Sequence, residues 1–228
     1  MGISRSANAS ALDASEKAVP TKQQQPARVK ARKFYRITYK AHSRPKGVEL
    51  LNKDEVFREG PPVGVFVPPD SFIRGFRNYP VKPRFRVSTQ LGHSPNDFEQ
   101  HHSFWLVSDR AKQVLEQLSE TDFQFLSLDT EVDAGQEPAP LWLCEVMPML
   151  DPVDEARSYV RIEQSDARTP IYQITPSMKL CFDEACVGSH HAFRLTKNFA
   201  TIICDDAFKT AVKEAKLTGL RYQDVTMS

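Results

Sequence analysis

The sequence predicts an α+β fold, a strand-rich chain carrying two principal helices. Three observations point there. Two stretches, near 104–128 and 201–225, each combine a strand, a polar cap, a helix with one apolar stripe and a closing strand. Between them lie short apolar or alternating segments bounded by turn residues, the pattern of strands. Upstream of residue 98, prolines recur too closely for long helices, because each one removes a backbone donor and fixes φ.

Residues 1–33 are rich in Ala, Ser, Gln and Lys and have no aromatic side chain. Their apolar groups are too sparse to offset the entropy of ordering, so the expectation is a disordered basic tail, with seven basic and two acidic residues. A single α+β domain is expected over 34–228, with an irregular Pro-rich part (34–98) and a regular part (99–228). Phe34-Tyr35-Arg36-Ile37-Thr38-Tyr39 is aromatic and β-branched, a good strand. Pro45, Pro61, Pro62, Pro68, Pro69, Pro80, Pro83 and Pro95 leave room for short strands at 63–67 and 84–87. In the latter, Arg84 and Arg86 form a cationic face, and Phe85 and Val87 an apolar one.

Phe104-Trp105-Leu106-Val107 then reads as a buried strand. Ser108 is a good N-cap, and Asp109 a favourable first-turn anion. Ala111, Val114, Leu115 and Leu118 give the helix stripe, and Phe123–Leu128 alternates as a strand. In the second copy, Thr201-Ile202-Ile203 is the strand, and Cys204-Asp205 stands in the place of Ser108-Asp109. Ala207, Phe208, Ala211, Val212 and Ala215 form the stripe, Gly219 takes the helix C′ position, and 220–225 closes the unit. Strands are expected between the units at 141–146, 159–162, 171–174 and 179–182, and a hairpin turning at Thr196-Lys197-Asn198 leads into the second unit.

The formal net charge of +1 conceals a strong partition. From Gln113 to Ala156, 44 residues contain eleven acids and no Lys or Arg, whereas Ser71–Asn96 holds five bases and no acid. Two arrangements account for this. The basic segment packs beside the acidic one and the fields cancel, or an acidic surface steers a cationic partner. Asp129, Glu131 and Asp133 would share a face in a strand. Followed by the Gly- and Pro-containing stretch that ends the run, they are expected, with Glu137, to rim an exposed loop able to cover the cationic site of a nuclease.

Other chemistry finds little support. Cys181, Cys186, His190 and His191 are the best metal candidate and the basis of an alternative reading as a metal-dependent hydrolase, but their spacing is irregular for zinc. His101-His102 and His190-His191 are expected as surface-loop histidines. There is no Gly-x-Ser-x-Gly elbow, phosphate loop or dinucleotide fingerprint. No catalytic residue, resident metal or cofactor is assigned, and the protein is not read as an enzyme. A nucleic-acid-associated protein is a further alternative, using the tail with Arg74, Arg77, Arg84 and Arg86. No apolar run approaches the roughly 20 residues that span a bilayer, and no export signal is visible, so reduced thiols in the cytoplasm are expected.

Three stretches carry a family likeness. They are Phe104–Leu115; Leu141–Val146 running into Leu150-Asp151-Pro152-Val153-Asp154 and Arg157-Ser158; and Ala192–Leu195, Ile202–Phe208 and Leu217–Tyr222 taken together. In order and spacing they resemble a family of bacterial immunity proteins from polymorphic-toxin systems, first delineated from a myxobacterial member, over about 103–225. The resemblance implies a non-enzymatic cytosolic inhibitor whose partner is a cognate toxin delivered by contact-dependent machinery, including type VI secretion. It supplies structural motifs and no catalytic residues. The contact residues expected from the acidic run are Asp129, Glu131, Asp133 and Glu137.

Overall fold

A computed structural model of the full chain describes residues 31–40, 46–56, 75–76, 81–102, 104–164 and 170–227. The chain divides into two units, Met1–Ala31 and Arg32–Ser228, and the architecture below belongs to the second. The strand expected at 63–67 and most of the tail lie outside the described residues. In chain order the strands are β1 (Phe34–Tyr39), β2 (Val48–Leu50), β3 (Arg84–Val87), β4 (Phe98–His101), β5 (Phe104–Ser108), β6 (Phe123–Ser127), β7 (Asp129–Val132), β8 (Leu141–Val146), β9 (Met149–Leu150), β10 (Arg161–Gln164), β11 (Pro170–Gln173), β12 (Ala192–Leu195), β13 (Asn198–Asp205) and β14 (Leu220–Asp224). The helices are α1 (Lys53–Val56), α2 (Asp109–Leu118), α3 (Glu184–Val187) and α4 (Asp206–Glu214). The class is α+β, as the sequence predicts.

Two of the sheets contain the same four-strand array. One is β4-β5-β8-β6, antiparallel at every step; the other is β12-β13-β1-β14, also antiparallel throughout, with β9 added parallel to β12. Residues 104–127 correspond to 201–224 at a constant spacing of 97, as from the α2 cap Ser108 to the α4 cap Asp205, or from Phe123 to Leu220. The registers agree. Trp142 on β8 faces Val107 and Ser127, and Tyr35 on β1 faces their counterparts Cys204 and Asp224. The strand between the two parallel members follows the helix in the first repeat. In the second it comes from the beginning of the chain.

This correspondence corrects the sequence alignment by one residue. Asp205, not Cys204, is the equivalent of Ser108. Its carboxylate accepts the Phe208 N–H at 2.9 Å, as Ser108 Oγ accepts the Ala111 N–H at 3.2 Å. Cys204 is the counterpart of Val107, fully buried, and burial pushes its thiol well above the ordinary range. A second correction concerns the end of α4. Ala215 is the C-cap and Lys216 takes the left-handed conformation at φ 53°. The Leu217 N–H reaches the Val212 carbonyl and the Lys216 N–H that of Lys213, which is a Schellman pattern. Gly219, at φ 106°, is required for another reason, since a Cβ there would collide with the Phe98 carbonyl.

The apolar stripes of α2 and α4 meet in one core. Trp105, Val107, Ala111 and Leu115 from the first repeat pack with Ile202, Cys204, Phe208 and Val212 from the second. Side chains as large as Trp105 and Phe208, at 1% and 0% exposure, contribute about 2–3 kcal/mol each by burial. A second cluster gathers Phe34, Tyr172, Met178, Leu180 and Phe193. A third fills the inner face of the small sheet β2-β3-β7 with Phe85, Phe104, Leu106 and Leu143.

The repeats also clasp each other through equivalent positions, the residues preceding β4 and β12. Asp97 accepts Ser108 Oγ at 2.8 Å through one oxygen, and the Thr218 N–H and Oγ1 at 2.9 Å through the other. Its counterpart His191 places Nδ1 2.8 Å from the Asp205 carboxylate and donates its backbone N–H to Asp122 at 2.7 Å. Each clasp joins the cap of its own helix to the loop after the other helix.

Candidate functional site

The acidic run folds beside the basic segment. β7 pairs parallel to β3, with Arg84 opposite Asp129 and Arg86 opposite Glu131, while β2 on the other side places Glu49 opposite Arg86. Period-2 alternation turns Val48, Leu50, Phe85, Val87 and Val132 toward the core. The outer face is left with an acidic, a basic and an acidic column. Residues 129–132 are therefore an edge strand and not the loop rim expected; only the segment from Asp133 onward turns away. A three-residue run of alternating acids pairs well with a strand of alternating arginines, and this cross-strand complementarity selects the strand.

Of the four expected contact residues, two are engaged internally. Asp129 lies 2.6 Å from Lys82 Nζ, and Asp133 accepts Ser88 Oγ at 2.7 Å with Arg86 at 3.5 Å. Glu131 and Glu137 are exposed and have no cationic partner among the described residues. Eight of the eleven acids in the basic-free run lie within 4 Å of a Lys, Arg or His nitrogen among the described residues; the others are Glu120, Glu131 and Glu137. Arg86 faces carboxylates on both neighbouring strands and Arg84 faces Asp129 on β7, which opposes a phosphate backbone at this face. Arg74 and Arg77 lie outside the described residues.

The histidine pairs meet the surface-loop expectation only in part: His102 is exposed in the turn after β4, His190 and His191 lie in the loop before β12 but are half-buried, and His101 belongs to a strand. His101 ends β4 with its ring edge-on to Phe85 at 4.9 Å, and burial, with His102 and Lys46 nearby, pushes its pKa down to about 3. His190 Nδ1 lies 2.6 Å from Asp122, which is fully buried and also accepts the His191 and Ala192 backbone N–H groups. His190 is thus engaged with a carboxylate, Cys186 is exposed, and Cys181 is half-buried. Among the described residues no group of three or more His, Cys, Asp or Glu is placed to hold a metal ion. The 179–182 strand is also absent as such: Lys179, Leu180 and Phe182 make isolated bridges to Tyr159, Thr226 and Val153.

A further surface was not singled out in the sequence. β10 and β11 form a separate two-stranded ribbon, anchored by Tyr172, whose hydroxyl donates to Glu155 and whose backbone bonds to Lys197 and Asn198. Beside its base lies an open depression of about 520 Å³ lined by Asp151, Asp154, Arg157, Phe182, Asp183 and Glu184, with Pro152 and Val153.

The sequence pattern of an immunity protein family, Imm11, matches residues 17–227.

The chain belongs to the Imm11 immunity protein family.

The Imm11 match begins at residue 17, so it takes in β1 and the β2-β3-β7 sheet, well beyond the 103–225 likeness read from sequence. Membership gives this Imm11 protein an immunity function against a toxin, with a toxin as its partner. No curated protein matches the chain. No helix among the described residues is long and apolar enough to cross a membrane.

Proposed function

We propose that this Imm11 protein neutralises a cognate antibacterial toxin by binding it in the cytoplasm, with no chemistry of its own, and so occludes the toxin's active site. The toxin belongs to the class delivered by contact-dependent machinery such as type VI secretion. The observation that supports a cationic target, such as a nuclease site, is the exposed edge of β7. Glu131 and Glu137 carry charge there that Lys82 and Arg86 do not neutralise. Asp129 and Asp133 hold the edge in place, and the two glutamates face the partner.

The test is a binding assay against the toxin domain encoded beside this gene, repeated at rising salt. Reversing Glu131 and Glu137 to Lys is expected to weaken binding by about tenfold or more at low salt, chiefly through slower association. Reversing Asp129, Glu131 and Asp133 together is expected to abolish protection of growing cells. Unchanged affinity and unchanged protection in both variants would remove the acidic-edge contact.

A further inference from the structure

Seven large apolar side chains are exposed among the described residues, and three of them, Tyr159, Ile162 and Ile171, belong to the β10–β11 ribbon or its base. The cross-strand register separates its faces. Ile162 opposes Tyr172; Tyr172 turns inward and is buried, whereas Ile162 beside it stays 37% exposed. Glu163 opposes Ile171 and Arg161 opposes Gln173, so these four turn outward. Tyr159, two residues before Arg161, continues the outer face and is 66% exposed, the highest value of any large apolar residue described. A two-stranded ribbon does not hold itself together in water, and this one is held by Tyr172 on its inner face and by the Tyr159–Lys179 backbone bonds at its base.

The base of the ribbon is joined to the depression along both chain segments. Arg157 lines the depression and Tyr159 follows it by two residues. Tyr159 exchanges both backbone hydrogen bonds with Lys179, and Phe182, three residues further on, lines the depression again. The lining carries four carboxylates against one guanidinium. Asp154 is satisfied by Arg157 at 2.6 Å and Asp151 by Lys197 at 3.4 Å, while Glu184 has no cationic partner among the described residues. The volume falls in the range of sites that take a side chain or small ligand. An exposed tyrosine beside a net-negative hollow suits a cation on a flexible stem, with the aromatic face taking the stem and the carboxylates the charge.

We propose that the outer face of the ribbon and the adjoining depression form one docking surface for a Lys- or Arg-bearing segment of the toxin. This rests on the immunity reading and adds a second contact, remote in sequence from β7. Neither surface belongs to the elements that the two repeats share. β7 is inserted between β6 and β8, and the ribbon and α3 between β9 and β12.

The test uses the full chain and the inactivated toxin domain encoded beside this gene. Tyr159→Ala with Ile171→Ser alters only exposed positions, and an unchanged melting temperature verifies the fold. The pair is expected to weaken toxin binding by more than about tenfold, and Glu184→Lys with Asp151→Lys to weaken it in a salt-dependent way. Glu131→Lys with Glu137→Lys serves as the independent arm. Wild-type-like affinity in both ribbon and depression variants, while wild-type protein still binds, overturns the docking surface and leaves the immunity reading standing. Absence of binding by the wild type removes both. Sedimentation supplies the remaining outcome: a wild-type dimer converted to monomer by the ribbon pair would give this face to a second copy of the chain, and the proposal would be wrong.

Discussion

Lys112 and Lys209, 97 residues apart, make the same contact in the two repeats. Lys112 Nζ lies 4.7 Å from the centre of the Trp142 ring and 5.4 Å from that of Phe125; Lys209 Nζ lies 3.7 Å from Tyr35 and 5.7 Å from Tyr222. Trp142 and Tyr35 are the inserted strands' residues at one register, and Phe125 and Tyr222 stand at one position of the closing strands. The helix lysine thus lies across two aromatic rings on adjacent strands in both copies. Replacing Lys209 by Met keeps the stem and removes the cation. The expected loss is about 1 kcal/mol of stability, read from urea unfolding. Lys112→Met is expected to cost somewhat less, because the distance to its nearer ring is longer.

Lys216 offers the opposite outcome. A lysine in the left-handed region carries a conformational penalty that glycine escapes, so Lys216→Gly is expected to stabilise by about 0.5–1 kcal/mol and raise Tm by roughly 1–4 °C. Gly219→Ala is expected to cost at least ~2 kcal/mol, because the new methyl group meets the Phe98 carbonyl and the φ is unfavourable. Thermal unfolding of the two variants checks the assignment of the C′ position directly.

The cap assignment has its own test. Asp205→Ala strips the acceptor from Phe208 N–H, Arg32 and His191 together, at an expected cost of about 3 kcal/mol. Cys204→Ala removes one buried sulfur, for about 1–2 kcal/mol. Asp205→Ser falls between, since the hydroxyl still caps. Equilibrium denaturation should rank the three in that order, and a costlier Cys204→Ala would restore cysteine as the cap.

His101 predicts a pH dependence with a definite sign. Its folded pKa, about 3, lies below the unfolded value near 6.5. Protonation therefore favours the unfolded chain. Stability is unaffected by this group above about pH 6.5 and falls as the pH drops from there toward 3, at up to ~1.4 kcal/mol per unit. Urea midpoints of wild type and His101→Gln, measured from pH 7 to pH 4, should converge as the pH falls. Parallel curves would mean that His101 charges freely in the folded state.

Much of this was legible in the sequence where one residue type has one physical use. The strand at 34–39, the alternation at 84–87, the Ser108 cap with its helix and the strand at 141–146 all lie where burial period and capping chemistry place them. The misreadings arise where two residues suit one role. Cys204 and Asp205 both fit a strand–helix junction, and only the partner strand's register separates core from cap. The histidines at 190–191 do lie in a loop, but their engagement is missed because Asp122, 68 positions away from His190, has no local signature. The acids at 129–133 suit both arrangements of charge, and parallel pairing with β3 engages Asp129 and Asp133 internally while Glu131 makes no ion pair among the described residues. The ribbon's strands are expected near 159–162 and 171–174, but their outer face is not, because exposure of Tyr159 and Ile171 depends on which strands decline to cover them.

The inserted strand of the second repeat has a consequence for the order of assembly. β1 sits between β13 and β14, and the Phe34 N–H and carbonyl both bond to the last residues of the chain. The first repeat's strands emerge from the ribosome as one run, 98–146, and can close as they appear. At about 5–20 residues per second, β1 waits roughly ten seconds or more for either neighbour to be synthesised. A chain stopped before Leu220 leaves β1 an exposed edge and the second helix without its aromatic lid. Until residues 198–224 have been made, β1 has neither of its partner strands, and its backbone donors and acceptors offer an open edge of the kind that invites pairing with another chain.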